Sequence, residues 1–225
     1  MKHRDAESST GAAAVGAEQR RKGILNAAFG IFARYGFRKT SMDEVATAAG
    51  ISRQGLYLHF ATKEELFRAL VAYVLDTSFT AAETVLKDRT LPLDVKLAHA
   101  FQEWVGRHVG VVGVEAADLI QAAHSLMGDE VRDYERRFSE AVTAAVRRTD
   151  LAKAFARSGV AARHLASHLL AVARGLKCQC ASQAEFTQEF SIALRILFAV
   201  VAGPEKAPPP SKTAAKTKGG GRAGS

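Results

Sequence analysis

Residues 40–60 read TSMDEVATAAGISRQGLYLHF. Ser41 and Glu44 have the S-x-x-E spacing of a capping box, in which each side chain accepts the other residue's backbone N–H, so a helix is expected from Met42. Met42, Val45, Ala46 and Ala49 follow at i, i+3, i+4 and i+7 and make one apolar stripe. Gly50 stands where helices end in a left-handed residue, and Ile51 can fold back onto the helix just ended. Ser52 suits the N-cap of a second helix. In that helix Leu56 and Phe60, at i and i+4, point inward, and Arg53, Gln54 and Tyr57 occupy another face. Helix, glycine turn, helix is the helix-turn-helix pattern, whose second helix enters the DNA major groove.

Upstream, a helix opens at Arg20, Arg21 and Lys22, carries Ile24, Ala28, Ile31, Phe32 and Tyr35 as its stripe, and closes at Gly36. Three cations at a helix start oppose the macrodipole, so they read either as a solvated end or as phosphate contacts. Residues 1–18 mix charge with Ala, Gly and Ser without a period and are expected to be a disordered arm. Downstream, Thr62 and Glu65 repeat the capping-box spacing, so a long helix is expected from Lys63 to about Val85. Its wide stripe (Leu66, Phe67, Leu70, Val71, Val74, Leu75) suits a link between two domains.

The remaining chain reads as helices only. One carries Leu97, Phe101, Trp104, Val105 and His108; Gly110–Gly113 breaks the pattern; Val114–Met127 and Asp129–Thr149 follow around Gly128; Leu151–Arg157 is short. Val160–Ala181 is rich in small residues, and between Ile192 and Ala202 only Arg195 is polar. A helix apolar nearly all round is buried on more than one side, which points to a subunit interface as well as a core. Leu169, Val172, Leu176, Phe190, Leu194 and Leu197 are the candidates for it. Residues 203–225, with Pro208–Pro210 and five cations against Glu205, are expected to be a disordered basic tail, read either as solubilising or as a nonspecific DNA arm.

The 225 residues are 48% apolar with a formal net charge of +8, which fits a globular protein with a polyanionic partner. Two cysteines two positions apart imply no disulfide framework. No signal-peptide core is legible and the longest apolar run, 196–203, falls far short of the roughly 20 residues of a membrane span, so a cytoplasmic protein with no membrane partner is expected.

Together the segments ILNAAFGIFARYGF, TSMDEVATAAGISRQGLYLHF and TKEELF make residues 20–70 closely resemble the DNA-binding domain of TetR/AcrR-type transcriptional regulators. The resemblance covers about a quarter of the chain. It implies an all-α protein: a three-helix helix-turn-helix domain over 19–79 (motif about 41–60), then a helical ligand-binding and dimerisation domain over 80–202. It further implies a homodimer on double-stranded DNA with a palindromic operator. A small apolar or amphipathic ligand would release it, most often from repression. Arg53 and Gln54 would read bases, since Arg pairs with guanine and Gln with adenine. Tyr57, His59, Thr40, Ser41 and Lys63 match positions at or beside phosphate contacts. Gly55 reads either as close approach to DNA or as tight packing, and Leu58 as a thymine contact or as plain exposure.

Aromatic and polar residues of the middle helices would line the ligand pocket: Phe101, Trp104, His108, Gln121, His124, Tyr134 and Phe138, with His99, Asp118 and Met127 beside them. His164 and His168, at i and i+4, lack a third ligand nearby, and Cys178 and Cys180 point apart on a helix, so no metal or cofactor is expected. No phosphate loop, H-E-x-x-H or nucleophile elbow occurs, so the chain is not expected to be an enzyme. The competing reading is a nonspecific architectural DNA-binding protein that works through its basic tail.

Overall fold

The computed structural model describes residues 4–111 and 116–202, and among them every regular element is a helix. In chain order these are α1 (Arg4–Lys39), α2 (Met42–Ala48), α3 (Arg53–Tyr57), α4 (Lys63–Lys87), α5 (Leu93–Trp104), a 3-10 turn (Gly106–His108), α6 (Ala116–Arg147), α7 (Asp150–Ala156), α8 (Ala162–Gln179) and α9 (Gln183–Ala202). The all-α class and the two-part plan stand as the sequence reading has them. The basic tail at 203–225 lies outside the described residues.

Two apolar cores divide the molecule. The first gathers Ile24, Leu25, Ala28 and Phe32 of α1, Met42, Val45 and Ala46 of α2, Leu56 and Phe60, and Leu66, Phe67 and Leu70 of α4. Phe32 meets Phe67 edge-on at 5.2 Å, and Phe37 lies 4.8 Å from the same ring. The second core joins the far half of α4 to α5, α6, α7, α8 and α9, with Phe101, Phe138, Phe186 and Phe190 at its centre. Burial of large apolar side chains at roughly 1.5–3 kcal/mol each is what holds each unit together.

Two helices belong to both cores. The length and apolar character of α4 would also suit a bilayer span. Here its first half packs in the first core and its second half in the other. In α6, Leu119, Ala122, Ala123 and Leu126 pack on the first core and Phe138, Val142 and Val146 fill the second. Between the two halves Met127 leaves helical geometry (φ −145°, ψ 31°), next to the glycine that marks this break in the sequence.

Two expectations need correction at the N-terminus. The backbone is helical from Arg4, where an unstructured arm was expected up to residue 18. The segment has no proline, and alanines outweigh its two glycines, Gly11 and Gly16, which favours helix. Arg20, Arg21 and Lys22 therefore lie inside α1, not at its start, and the macrodipole argument no longer applies to them. Tyr35, expected on the buried stripe, is exposed with Arg34 stacked over its ring, because Gly36 (φ 79°) turns the chain away immediately after it.

Candidate nucleic-acid interface

The α2–α3 pair is built by its local chemistry. Ser41 Oγ accepts the Glu44 N–H and the Glu44 carboxylate accepts the Ser41 N–H at 2.8 Å, closing the capping box. These bonds from Ser41 hold the Glu44 carboxyl below its ordinary pKa. At the other end Gly50 has φ 66°, its N–H donates to Thr47 O and the Ile51 N–H donates to Ala46 O. That paired bonding is a Schellman stop, and it is why a glycine is needed there. Ser52 then caps α3 by accepting the Gly55 N–H at 3.0 Å. Leu56 and Phe60 are fully buried behind α3, so the short helix is pinned by its back and presents its front.

That front carries Arg53, Gln54, Tyr57 and Leu58. Arg53 and Gln54 are exposed, Tyr57 is 40% exposed and Leu58 83%. The Arg53 guanidinium bonds Asp43 of α2 at 3.0 Å and lies over the Tyr57 ring, and its bond to Tyr57 is the main cause of its raised pKa. Asp43 was not singled out in the sequence; its place ten residues before Arg53 gave no helical spacing to mark it. At Gly55 a Cβ would come 3.2 Å from Ser52 Oγ, a tight but local contact with the cap of its own helix. His59 is half-buried beside Phe60.

Two expected phosphate contacts are otherwise engaged. Thr40 is only 2% exposed, and its hydroxyl donates to Gly36 O at 2.7 Å, closing the end of α1. The Lys63 ammonium donates to Phe37 O, Arg38 O and Thr40 O at 2.9, 3.3 and 3.0 Å and lies over the Phe37 ring. Its three N–H groups are thus matched by three carbonyls at the end of α1 and just past it, where a cation is favourable. Ser41 is exposed, but its hydroxyl serves the capping box. At Thr62 only half of the expected box forms: Thr62 accepts the Glu65 N–H, while the Glu65 carboxylate accepts from Ala61. Of the basic cluster, Arg21 stacks over Phe60 and Lys22 pairs with Glu18, which leaves Arg20 exposed and directed to solvent.

Residues 24–70 match the family model described as "Bacterial regulatory proteins, tetR family". This segment is a TetR-family DNA-binding domain. The chain is 42% identical over 59 residues to the uncharacterized HTH-type transcriptional regulator YfiR of Bacillus subtilis, covering 26% of this chain and 29% of that one. It is 36% identical over 75 residues to the HTH-type transcriptional repressor KstR2 of Mycobacterium tuberculosis, covering 33% and 38%. The chain thus spans about a third of the length of these curated relatives. A TetR transcription regulator from Haloarcula marismortui superposes over 82% of this chain and 97% of its own, with a TM-score of 0.61 and 16% identity, which extends the likeness in fold to the second domain.

Behind the interface, the expected ligand-pocket residues do not converge. Phe101 and Phe138 are wholly buried and meet edge-on at 5.1 Å, Trp104 stacks on Phe138, and Tyr134 packs on Phe79, so these are core aromatics. Gln121 accepts a bond from Arg38 at the junction of α1 and α6, and His124 is exposed with its ring against Ile120 O. His108 shares a hydrogen bond with Ser78 of α4 at 3.1 Å and touches Phe29 of α1. Burial, then Lys177 and Arg107, lower its pKa to about 4. Asp118 and Gln121 line an open cleft of about 280 Å³ with Phe37, Arg38 and Glu64, and another cleft, of about 490 Å³, lies between α4 and α6.

The expected interface residues are likewise engaged within the chain. Leu169, Phe190 and Leu194 are buried in the second core, and Val172, Leu176 and Leu197 pack against it. The outer faces of the same helices carry Ser167, Ala171 and Gly175 on α8, and Ile196, 69% exposed, and Ala199 on α9. Helix periodicity separates these two faces only when the core side is known. His164 uses Nδ1 to accept the Ala161 N–H at 3.2 Å, so it caps α8.

Proposed function

We propose that this chain is a homodimeric transcriptional regulator, most simply a repressor, that binds a palindromic operator in double-stranded DNA and leaves it when a small apolar or amphipathic ligand occupies the second domain. The observation that carries this reading is the α3 front: Arg53, Gln54 and Tyr57 exposed together on a helix whose back is pinned by Leu56 and Phe60. A rigid helix with polar residues at its first turn is what major-groove reading requires. Arg53 and Gln54 read bases, and Tyr57 and His59 hold phosphates.

Dimerisation is assigned to the outer faces of α8 and α9. Small residues allow close helix approach, and the isolated Ile196 gains burial from a second copy. The two helices that enter both cores, α4 and α6, give a ligand in the second domain a route to the first. The names of the relatives, a repressor among them, support the same reading. In the cell such a protein works on DNA in the cytoplasm.

The experiment is fluorescence anisotropy with the DNA upstream of its own gene and a random duplex of equal length, over a salt series, with sedimentation of the free protein alongside. A dimer that prefers its own upstream DNA at every salt concentration supports the proposal. Equal affinity for both duplexes rejects it in favour of nonspecific, tail-driven binding.

A further inference from the structure

The cleft between α4 and α6 exists because α6 presents alanines opposite large residues of α4. Ala141, Ala144 and Ala145 face Phe79 and Leu86 across about 490 Å³, within the roughly 300–1,000 Å³ of small-molecule sites. Residues 79–87 on one wall and 137–145 on the other each span eight steps of helix, about 12 Å at 1.5 Å per residue. The floor is therefore an apolar slot long enough for an extended alkyl chain.

Its rim carries four charges, and they are not equivalent. Glu83 pairs with Lys87 at 2.9 Å, and Glu140 pairs with Arg136 at 2.8 Å, each one turn away on its own helix. Arg137 has no carboxylate within ion-pair distance among the described residues; its guanidinium lies 4.2 Å over the Phe79 ring and 4.8 Å over Tyr134. The nearby Asp76 accepts the Tyr134 hydroxyl at 3.2 Å. The guanidinium also hydrogen-bonds the Tyr134 hydroxyl, and its remaining in-plane N–H groups are left for a bidentate acceptor. One such cation between two carboxylates suits a monoanion and repels a dianion.

We propose that this cleft binds an amphipathic monocarboxylate, with Arg137 holding the carboxylate and the alanine-lined floor holding the alkyl chain. The site deepens the ligand-regulated reading above and rests on it for its biological role. Occupation acts between α4 and α6, the two helices whose other halves are packed into the DNA-binding core, and on the far side of the Met127 break. A chain seated at residues 79–87 and 137–145 therefore changes the spacing of both supports of α3.

The test is calorimetric titration of the full-length protein with decanoate, with decanol and decyltrimethylammonium as the uncharged and cationic controls. Decanoate is expected to bind saturably, and decanol at least about tenfold more weakly, the worth of one charge-assisted bond. Arg137→Gln should lower decanoate affinity at least about tenfold and leave decanol unchanged, with Arg137→Lys between. Ala144→Phe, which fills the slot from an exposed position, should abolish binding of both while the melting temperature holds. No saturable decanoate binding, equal binding of decanol, or undiminished binding by Arg137→Gln overturns the site. DNA titrations of the same samples separate the two readings: specific DNA binding without decanoate binding rejects the cleft alone, and decanoate binding without specific DNA binding rejects the regulator alone.

Discussion

Replacing Lys63 with methionine distinguishes a half-buried clamp from a DNA contact. The methionine keeps the aliphatic stem beside Phe37 and removes the three donations to Phe37 O, Arg38 O and Thr40 O. A hydrogen bond involving a charged group contributes roughly 1.5–3 kcal/mol, and the carbonyls left behind are part-exposed and regain water, so the loss is that of about one such bond, near 2 kcal/mol. For a chain of this length that lowers the melting temperature by about 4–8 °C. A phosphate contact behaves differently: its loss reduces the slope of log affinity against log salt by about 0.9 and leaves the fold intact. Calorimetric melting and anisotropy with a labelled duplex over several salt concentrations read both quantities on one preparation. The structure requires a lower melting temperature and an unchanged slope. An unchanged melting temperature with the slope reduced by about one contact would refute the clamp.

Three further outcomes follow from the geometry. His108 is held neutral, with its pKa lowered to about 4, so the folded state resists a proton that the unfolded chain takes up near pH 6.5. Its contribution is complete above about pH 6.5 and is lost as pH falls toward 4, up to about 3 kcal/mol, so urea titrations of His108→Gln should show a shallower acid loss than the parent; parallel curves would contradict this. Asp43→Asn should leave stability within about 1 kcal/mol, since the pair it breaks with Arg53 is more than half exposed, and should tighten binding to any duplex by removing a negative charge beside the phosphates; weaker binding would count against the α3 front. Phe190→Ala should cost about 3–5 kcal/mol without changing the monomer–dimer constant of the folded protein, whereas Ile196→Asp should shift sedimentation toward monomer with little change in melting; the reverse pattern would move the interface back into the buried faces.

What could be read from the sequence was local. Ser41 with Glu44, Gly50 before Ile51, and Ser52 each act within one turn, and each forms the bonds its spacing implies. What could not be read depends on contacts far along the chain. Lys63 reaches back 23–26 residues to the end of α1, and nothing at its own position marks that target. The aromatic residues Phe101 and Trp104 of α5 and Phe138 of α6 each fit the periodicity of their own helix whether they line a cavity or fill a core, and here they pack on one another in the core. The cleft is not legible for the converse reason: Ala141 and Ala145 fall on the inward stripe of their helix, and the space they leave with Ala144 exists only opposite Phe79 and Leu86. On α8 and α9 the apolar residues with the largest side chains were assigned outward, but folding turns Leu169, Phe190 and Leu194 inward and leaves smaller groups and Ile196 on the outside.

The central claim is that α3 reads sequence, and selection from a pool of randomised duplexes tests it most directly. Full-length protein and the Arg53→Ala variant are taken through the same rounds, and the recovered sequences are compared. The account predicts an inverted repeat from the parent chain, with one guanine in each half-site losing its preference in the variant while the other positions keep theirs. Recovery of no shared sequence by the parent, or of the same repeat with every position intact from Arg53→Ala, would contradict it.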